Sequence, residues 1–143
     1  MYKGINLHEI VKYPSKNDPD PQNPTIFHLG ALDSIVESYI EDRTTSFEGS
    51  STNPEEEARL KLDLATRNLL TVKFGLKGFE KFAHPETGEL MEFETKPFII
   101  GNTKYLVVTD KLLAIFPNSK SLLAELAAKI KEINSLSEEE KKN

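Results

Sequence analysis

The chain has 143 residues, a size typical of one folded domain, and a formal net charge of −5. It contains no cysteine, which excludes disulfides, thiolate zinc sites, iron–sulfur clusters and a cysteine nucleophile. The acidic balance argues against nucleic acid as a partner, because phosphate binding needs clustered Lys and Arg. No apolar run approaches the roughly 20 residues that a membrane span requires, so no membrane partner is predicted.

Residues 1–24 are predicted to form an extended arm and a proline-rich linker outside the globular domain. Within the arm, Ile5, Leu7, Ile10 and Val11 are compatible with either one helical turn or an edge strand. Charged residues interrupt the apolar residues of the first 13 positions, unlike a signal peptide, so we expect a cytoplasmic protein. Three residues that precede prolines, Asp18, Asp20 and Asn23, are pushed out of the α region. This pattern favours a stiff surface connection over a segment that lies along a partner.

The first elements of the globular part are a short strand and a helix. Residues 25–29 alternate in strand fashion and stop at Gly30. Asp33 is a good N-cap for a helix that runs to about Asp42. Residues 44–48 are predicted to form another strand, and a Gly/Ser loop follows at residues 49–52.

The second helix carries the strongest local signal. Asn53 suits the N-cap, Pro54 suits the first helical position, and residues 55–57 place negative charge in the first turn. An apolar stripe follows at helical spacing, through Ala58, Leu62, Ala65, Leu69 and Val72. Gly75 marks the end of the helix. Leu60, Leu64 and Leu70 widen the stripe, so the helix is either buried on more than one side or meets a partner on one side. We interpret the helix as the structural spine, and Leu69→Ala should then cost about 2–5 kcal/mol if Leu69 is fully buried.

The remaining elements have strand-like and then helix-like patterns. Strands are predicted at residues 79–82 and in an alternating stretch at 90–95, and a hairpin at 98–108 turns at Gly101-Asn102. Thr109 or Asp110 caps a short helix, and Asn118 or Ser119 begins the last one. We therefore predict one α+β domain over residues 25–134, with a small antiparallel sheet or hairpins packed on three to four helices. Residues 135–143 are predicted to be a charged, frayed tail.

No catalytic, cofactor-binding or metal-binding residue is assigned, and no cofactor is expected. His8, His28 and His84 each stand alone, without a second histidine at metal-ligand spacing. The glycines at 75 and 78 lack P-loop spacing and follow a helix, so they are interpreted as a helix end and a turn. No serine nucleophile motif is present either.

A basic and aromatic stretch leaves two interpretations open. Lys73, Lys77 and Lys81 recur every four residues, and three phenylalanines interleave with them, at positions 74, 79 and 82. Such interleaving is typical of single-stranded nucleic-acid binding. The negative net charge favours phenylalanines packed in the core instead.

Three segments together resemble a family of small proteins encoded by tailed bacteriophages and prophages. They are residues 23–34 (NPTIFHLGALDS), residues 73–82 (KFGLKGFEKF) and the end of the chain from residue 126, which closes in SEEEKKN. In the family pattern the middle block reads (K/R)(F/Y)GLKG(W/F)xNF. Lys81 stands where that pattern has asparagine.

The resemblance implies a non-enzymatic role in virion morphogenesis, as a tail assembly chaperone-like binding factor in the host cytoplasm. Such chaperones hold tape-measure or tail-tube proteins before polymerisation, so those phage structural proteins are the implied partners. The alternative is a structural virion component, such as a head decoration, a connector or a tail-associated protein. An enzyme or a host-directed regulator is a third reading. Neither the oligomeric state nor any functional residue follows from the resemblance.

Overall fold

A computed structural model describes residues 1–44, 54–117 and 121–140 of the chain. Within these ranges it has two small antiparallel sheets and four helices, which confirms the predicted α+β domain. The strands are β1 (Val11–Pro14), β2 (Ile26–Leu29), β3 (Leu76–Glu80), β4 (Thr95–Ile100) and β5 (Thr103–Val108). The helices are α1 (Ser34–Arg43), α2 (Pro54–Gly75), α3 (Asp110–Leu113) and α4 (Leu122–Glu140). None of these helices is both long enough and apolar enough to cross a membrane.

The larger sheet has the order β1-β2-β3, with β2 in the centre and antiparallel to both neighbours. The alternation of β2 turns Phe27 and Leu29 into the core and leaves His28 on the outer face. β3 begins directly at Leu76, where α2 ends, rather than at the predicted residue 79. Its early start follows from pairing, because Leu76 already lies opposite Leu29 in the sheet.

In the N-terminal segment the edge strand is the alternative that is observed, since residues 11–14 form β1 at the edge of the sheet. The prediction that all of residues 1–24 lie outside the domain is therefore wrong for these four residues. Tyr13 is buried and lies opposite Phe27. The proline-rich stretch that follows is a closed loop, in which the Ser15 amide donates to the Thr25 carbonyl. The Asp18 carboxylate holds this loop by accepting from the amides of Asp20 and Thr25. The proline-rich stretch therefore forms a closed turn, because the amides on both sides of its prolines donate hydrogen bonds within the loop.

The second sheet is the predicted hairpin, β4 paired with β5 in antiparallel register. Gly101 adopts a positive φ of 59° in its two-residue turn, which glycine tolerates without strain. The alternating stretch at residues 90–95 is not a strand before Thr95. It forms one isolated bridge, from Leu90 to Ala83, while Met91 and Phe93 are half-buried.

The helix ends agree with the cap predictions where these can be compared. Asp33 caps α1 by accepting from the Val36 amide, and Thr109 caps α3 by accepting from the Leu112 amide. α4 continues to Glu140, so residues 135–140 are helical rather than a frayed tail. Several predictions fall on residues 45–53, 118–120 and 141–143, which lie outside the described ranges. These are the strand at 44–48 beyond Thr44, the loop at 49–52, the caps at Asn53, Asn118 and Ser119, and the last three tail residues.

The long helix α2 differs most from its prediction. Its buried residues are Thr71, Val72, Phe74 and Gly75, all in its C-terminal end. Leu62 is 69% exposed and Leu69 is 39% exposed, so the predicted buried spine is wrong for the earlier part of the helix. The physical reason is that the core gathers where α2 meets β3 and α4. A Cβ on Gly75 would stand 2.6 Å from Cδ1 of Ile130, the closest approach of the two helices at this glycine.

Candidate functional site

The three histidines occupy separate places in the fold. His28 lies on the outer face of the β1-β2-β3 sheet, where its Nε2 is 2.8 Å from Oε2 of Glu80. Lys12, which pairs with His28 across the strands, places its Nζ 3.7 Å from the same oxygen. The hydrogen bond with His28 is the main cause that lowers the pKa of the Glu80 carboxyl, and the charge of Lys12 adds to it. The group is an ordinary surface ion-pair cluster across three strands.

The other two histidines have local backbone roles. Nδ1 of His84 accepts from the amides of Glu86 and Thr87, which closes the turn at residues 84–88. His8 is exposed, and its own amide donates to the side chain of Asn6. Within the described ranges, no group of three or more His, Asp or Glu side chains is arranged to hold a metal ion.

The three lysines of the basic and aromatic stretch do not form a basic stripe. Lys73 lies on α2 and contacts Asp110 at 3.2 Å, and Lys96 of β4 holds the other oxygen of that carboxylate at 3.1 Å. Lys77 lies on β3, and Lys81 follows that strand with a positive φ of 63°. The helix end at Gly75 breaks the four-residue spacing, because a strand has a different periodicity from a helix.

The phenylalanines of the same stretch belong to the core, which confirms the structural interpretation. Phe74 is 3% exposed and Phe82 is 7% exposed, and Phe79 stacks on Phe82 with ring centroids 5.0 Å apart. Gly75 ends α2 and Gly78 lies in β3, so these glycines are structural too. The glycine at 78 is needed because the His28 ring lies over it: a Cβ there would stand 3.0 Å from Nδ1 of His28.

A single carboxylate near the start of α4, that of Glu125, fastens the N-terminal segment to the body. Its Oε2 accepts from the Tyr13 hydroxyl at 2.7 Å and from the Lys16 amide at 3.0 Å. Its Oε1 accepts from the side chains of Ser15 at 3.1 Å and Asn17 at 3.3 Å. Desolvation, followed by the hydrogen bond to Glu125, raises the pKa of the Tyr13 hydroxyl well above its ordinary range. We call these five residues the Glu125 clamp.

Sequence reasoning did not find the Glu125 clamp. Its members are separated by more than one hundred residues, and an acidic residue in the first turn of a helix is explained by the helix dipole alone. Asn134 makes a similar connection further along α4, where its side chain donates to the Leu32 carbonyl and accepts from the Leu32 amide. No spacing rule within the sequence pairs either residue with its partner.

The main candidate for an interaction site is an exposed apolar row on α2. Ala58, Leu62, Ala65 and Leu69 step by four and three residues, so they lie along one side of the helix. The first three are exposed, and Leu69 is 39% exposed. We call these four residues the outer stripe. The outer stripe is the part of the predicted spine that the core leaves uncovered.

The opposite side of the same helix is anchored to the body. Arg67 donates from Nε to the Thr44 hydroxyl at 3.2 Å and from Nη2 to the Thr44 carbonyl at 3.4 Å. Thr44 is fully buried at the end of α1, and Leu60, Arg67 and Leu70 are half-buried on the side of α2 that faces it. These contacts attach α2 to the end of α1 at Arg67, which lies between Ala65 and Leu69 of the outer stripe.

The hairpin carries a second exposed apolar area. Ile99 is 68% exposed and Leu106 is 60% exposed, and Leu106 lies opposite Pro97 across the two strands. The other face of the hairpin packs on the body through aromatic contacts: Phe98 and Tyr105 meet Phe74 with centroids 5.6 Å and 5.9 Å apart. The molecule therefore presents two separate apolar areas, one on a helix and one on a hairpin.

Comparison with known proteins adds no relative to this description. No family model matches the chain, and the search finds no curated protein and no solved structure that is similar to it.

Proposed function

We propose that the protein is a non-enzymatic binding factor of tailed-phage virion morphogenesis, similar to a tail assembly chaperone. Its outer stripe on α2 binds an unassembled tail protein, either the tail-tube subunit or the tape-measure protein, in the host cytoplasm. The observation that carries this proposal is the exposure of Leu62 and Leu69 on a helix that is anchored along its other side. The resemblance of residues 23–34 and 73–82 to small phage proteins supports the setting.

The outer stripe has the pattern of helix-in-groove recognition, in which residues at i, i+3, i+4 and i+7 enter an apolar groove of the partner. Burying a leucine side chain completely contributes about 1.5–3 kcal/mol relative to leaving it exposed. A tenfold change in affinity corresponds to about 1.4 kcal/mol, so one leucine of the stripe is enough to alter binding measurably. An affinity built on a few such side chains suits a chaperone, which must release its client when polymerisation begins.

Co-purification with tail proteins tests the proposal directly. The chain is co-expressed with the tail-tube subunit and with the tape-measure protein of the genome that encodes it, and the amount of each that is retained is measured. We expect one of them to be retained by the wild type and to be lost by at least about tenfold with Leu62→Asp, because an ionised carboxylate cannot enter an apolar groove at low cost. Leu90→Asp is the matched control, since Leu90 is also exposed, at 71%, but lies away from α2, in the isolated bridge with Ala83.

The proposal is wrong if neither tail protein is retained by the wild type, or if Leu62→Asp and Leu90→Asp behave alike. Circular dichroism of each variant checks that the fold is kept. Both substituted side chains are exposed, so we expect melting temperatures close to that of the wild type.

The second apolar area favours one alternative, a structural virion component. A subunit that polymerises head to tail needs two different surfaces that fit each other, and the α2 stripe and the hairpin area supply two different exposed apolar surfaces. Mass spectrometry of purified particles separates the two functions. Abundant protein in finished particles supports the structural component, whereas its absence from particles together with co-purification supports the chaperone.

A further inference from the structure

A groove of about 480 Å³ lies between the N-terminal segment, the turn from β2 to α1, and the hairpin. Its volume is within the range of small-molecule sites, roughly 300–1,000 Å³. The groove is separate from the outer stripe, because no residue of that stripe lines it. The N-terminal side is contributed by Leu7, His8 and Ile10 and the hairpin side by residues 104–106.

Apolar side chains form much of its wall. Leu32, Val36, Phe74 and Leu76 line it and belong to the buried core, so this part of the wall is fixed by packing. Leu7 and Ile10 also line it and are 43% and 45% exposed. An apolar chain placed in the groove would meet the first group and cover the second, which removes apolar surface from water.

Lys77 brings an ammonium group to this apolar groove. Its side chain runs across the β2–α1 turn, where a Cβ on Gly30 would stand 3.2 Å from its Cε. Nζ donates to the Phe74 carbonyl at 2.8 Å, one of the last carbonyls of α2. An ammonium has three donors, and the described part of the protein supplies no further acceptor to this one. The side chain of Lys77 is exposed overall, but its ammonium is partly removed from solvent. This desolvation lowers the pKa of Lys77, and the negative charge of Asp33 opposes the shift.

Asp33, the acidic residue of the groove, is already engaged through both oxygens. Its Oδ1 accepts from the Val36 amide at 2.8 Å, as the N-cap of α1. Its Oδ2 accepts from the Tyr105 hydroxyl at 2.8 Å. Desolvation, together with this hydrogen bond, raises the pKa of Tyr105 to about 12, so the hydroxyl remains a neutral donor to Asp33 at neutral pH. Asp33 therefore positions two neighbours and is not a direct partner of the Lys77 ammonium.

The groove is positively charged although the protein as a whole is acidic. Lys77 and Lys104 line it together with one aspartate and the histidine His8. Two lysines against one aspartate leave one net positive charge with the histidine neutral, on a chain whose net charge is −5. Among the described residues, Lys104 makes no ion pair with an acidic side chain.

We propose that this groove binds an apolar monocarboxylate, with the apolar chain along the core wall and the carboxylate on the ammonium of Lys77. Lys104 adds positive charge to the same site. One net positive charge matches a monoanion, whereas a phosphate dianion requires more cationic partners. This site is independent of the outer stripe and does not rest on the proposed function.

Titration of the full-length protein with octanoate tests the site, followed by amide shifts in ¹H–¹⁵N NMR spectra below the micelle concentration. We expect saturable shifts confined to the groove, at residues 31–33, 76–77 and 104–106. Octanol has the same alkyl chain without a charge, so it tests whether binding needs the carboxylate. Octyl phosphate tests whether the site prefers a carboxylate to a phosphate. Octanoate should bind at least about tenfold more tightly than octanol, as expected for one charge-assisted hydrogen bond. It should also bind more tightly than octyl phosphate.

Substitution of the lysines identifies the carboxylate partner. Lys77→Gln should weaken octanoate binding by about tenfold and leave octanol binding unchanged, and Lys104→Gln should weaken octanoate binding less. Lys111→Gln is the matched control, since Lys111 is exposed on α3 and does not line the groove. Equal binding of octanoate and octanol overturns the proposal, as do tighter binding of octyl phosphate and shifts scattered over the surface. If Lys77→Gln fails to fold, an unchanged octanoate affinity in Lys104→Gln is sufficient to reject the site.

Discussion

The N-terminal segment and the first part of α2 differ from their sequence predictions in opposite ways. The segment predicted to be an exposed arm is partly buried, and the helix predicted to be buried is largely exposed. Residues 11–17 have weak, mixed patterns, yet Tyr13 is buried in the sheet and four groups of this segment converge on Glu125. The first part of α2 has the strongest helical pattern in the chain, yet Leu62 is largely exposed. The difference teaches that periodicity reports which side chains share a face, while burial depends on what the rest of the chain brings to that face.

The largest effect is expected from the Glu125 clamp, through Glu125→Ala. The substitution removes one acceptor from four donors and leaves the Tyr13 hydroxyl without its partner in a buried position. Hydrogen bonds to charged groups contribute about 1.5–3 kcal/mol each in favourable cases, and several here are partly exposed, so we expect a loss of about 2–4 kcal/mol. Chemical denaturation measures it.

Glu132→Ala is the control for the clamp. Glu132 also lies on α4, but it makes a surface ion pair with Lys129, worth about 0–1 kcal/mol. Equal losses of stability in the two variants would show that the clamp does not hold the N-terminal segment. The prediction of an extended arm would then be favoured.

A pair of truncations on α2 tests the other half of the comparison. Val72→Ala should destabilise by about 1.5–3 kcal/mol, because Val72 is fully buried and its removed methyl groups leave a cavity. Leu62→Ala should change stability by no more than about 0.5 kcal/mol, because its side chain is 69% exposed. Leu69→Ala should cost less than the roughly 2–5 kcal/mol expected for a fully buried leucine, since Leu69 is 39% exposed. If Leu62→Ala costs as much as Val72→Ala, the outer stripe is part of the core.

A smaller loss of stability than those of Glu125→Ala and Val72→Ala is expected from Tyr13, and it depends on alkaline pH. The pKa of Tyr13 is raised in the folded protein above its ordinary value of 10.0, so ionisation at high pH favours the unfolded chain. The contribution of Tyr13 is therefore complete below pH 10 and declines as the pH rises above it. Tyr13→Phe should cost about 1 kcal/mol at neutral pH through the lost hydrogen bond, and this difference should shrink above pH 10. A constant difference between the two proteins from pH 8 to 11 would contradict the burial of this hydroxyl.

Local signals were sufficient for much of the fold. The cap at Asp33, the hairpin turn at Gly101, the helix end at Gly75 and the alternation of residues 25–29 each act within a few residues of themselves. Such features depend on backbone geometry and neighbouring side chains, which the sequence displays directly. The α+β class followed from their order along the chain.

The candidate sites were beyond such reasoning, because each depends on chain segments that are distant in sequence. The groove joins Leu7, His8 and Ile10 to residues 76–77 and 104–106. The outer stripe is a candidate site only because the core lies at the far end of α2. An apolar row on a helix is written in the sequence as a periodicity of hydrophobic residues, and that periodicity is the same whether the row is buried or exposed. The packing of β3 and α4 against the last turn of α2 makes the choice, since apolar side chains are buried where other elements reach them and remain at the surface where none does.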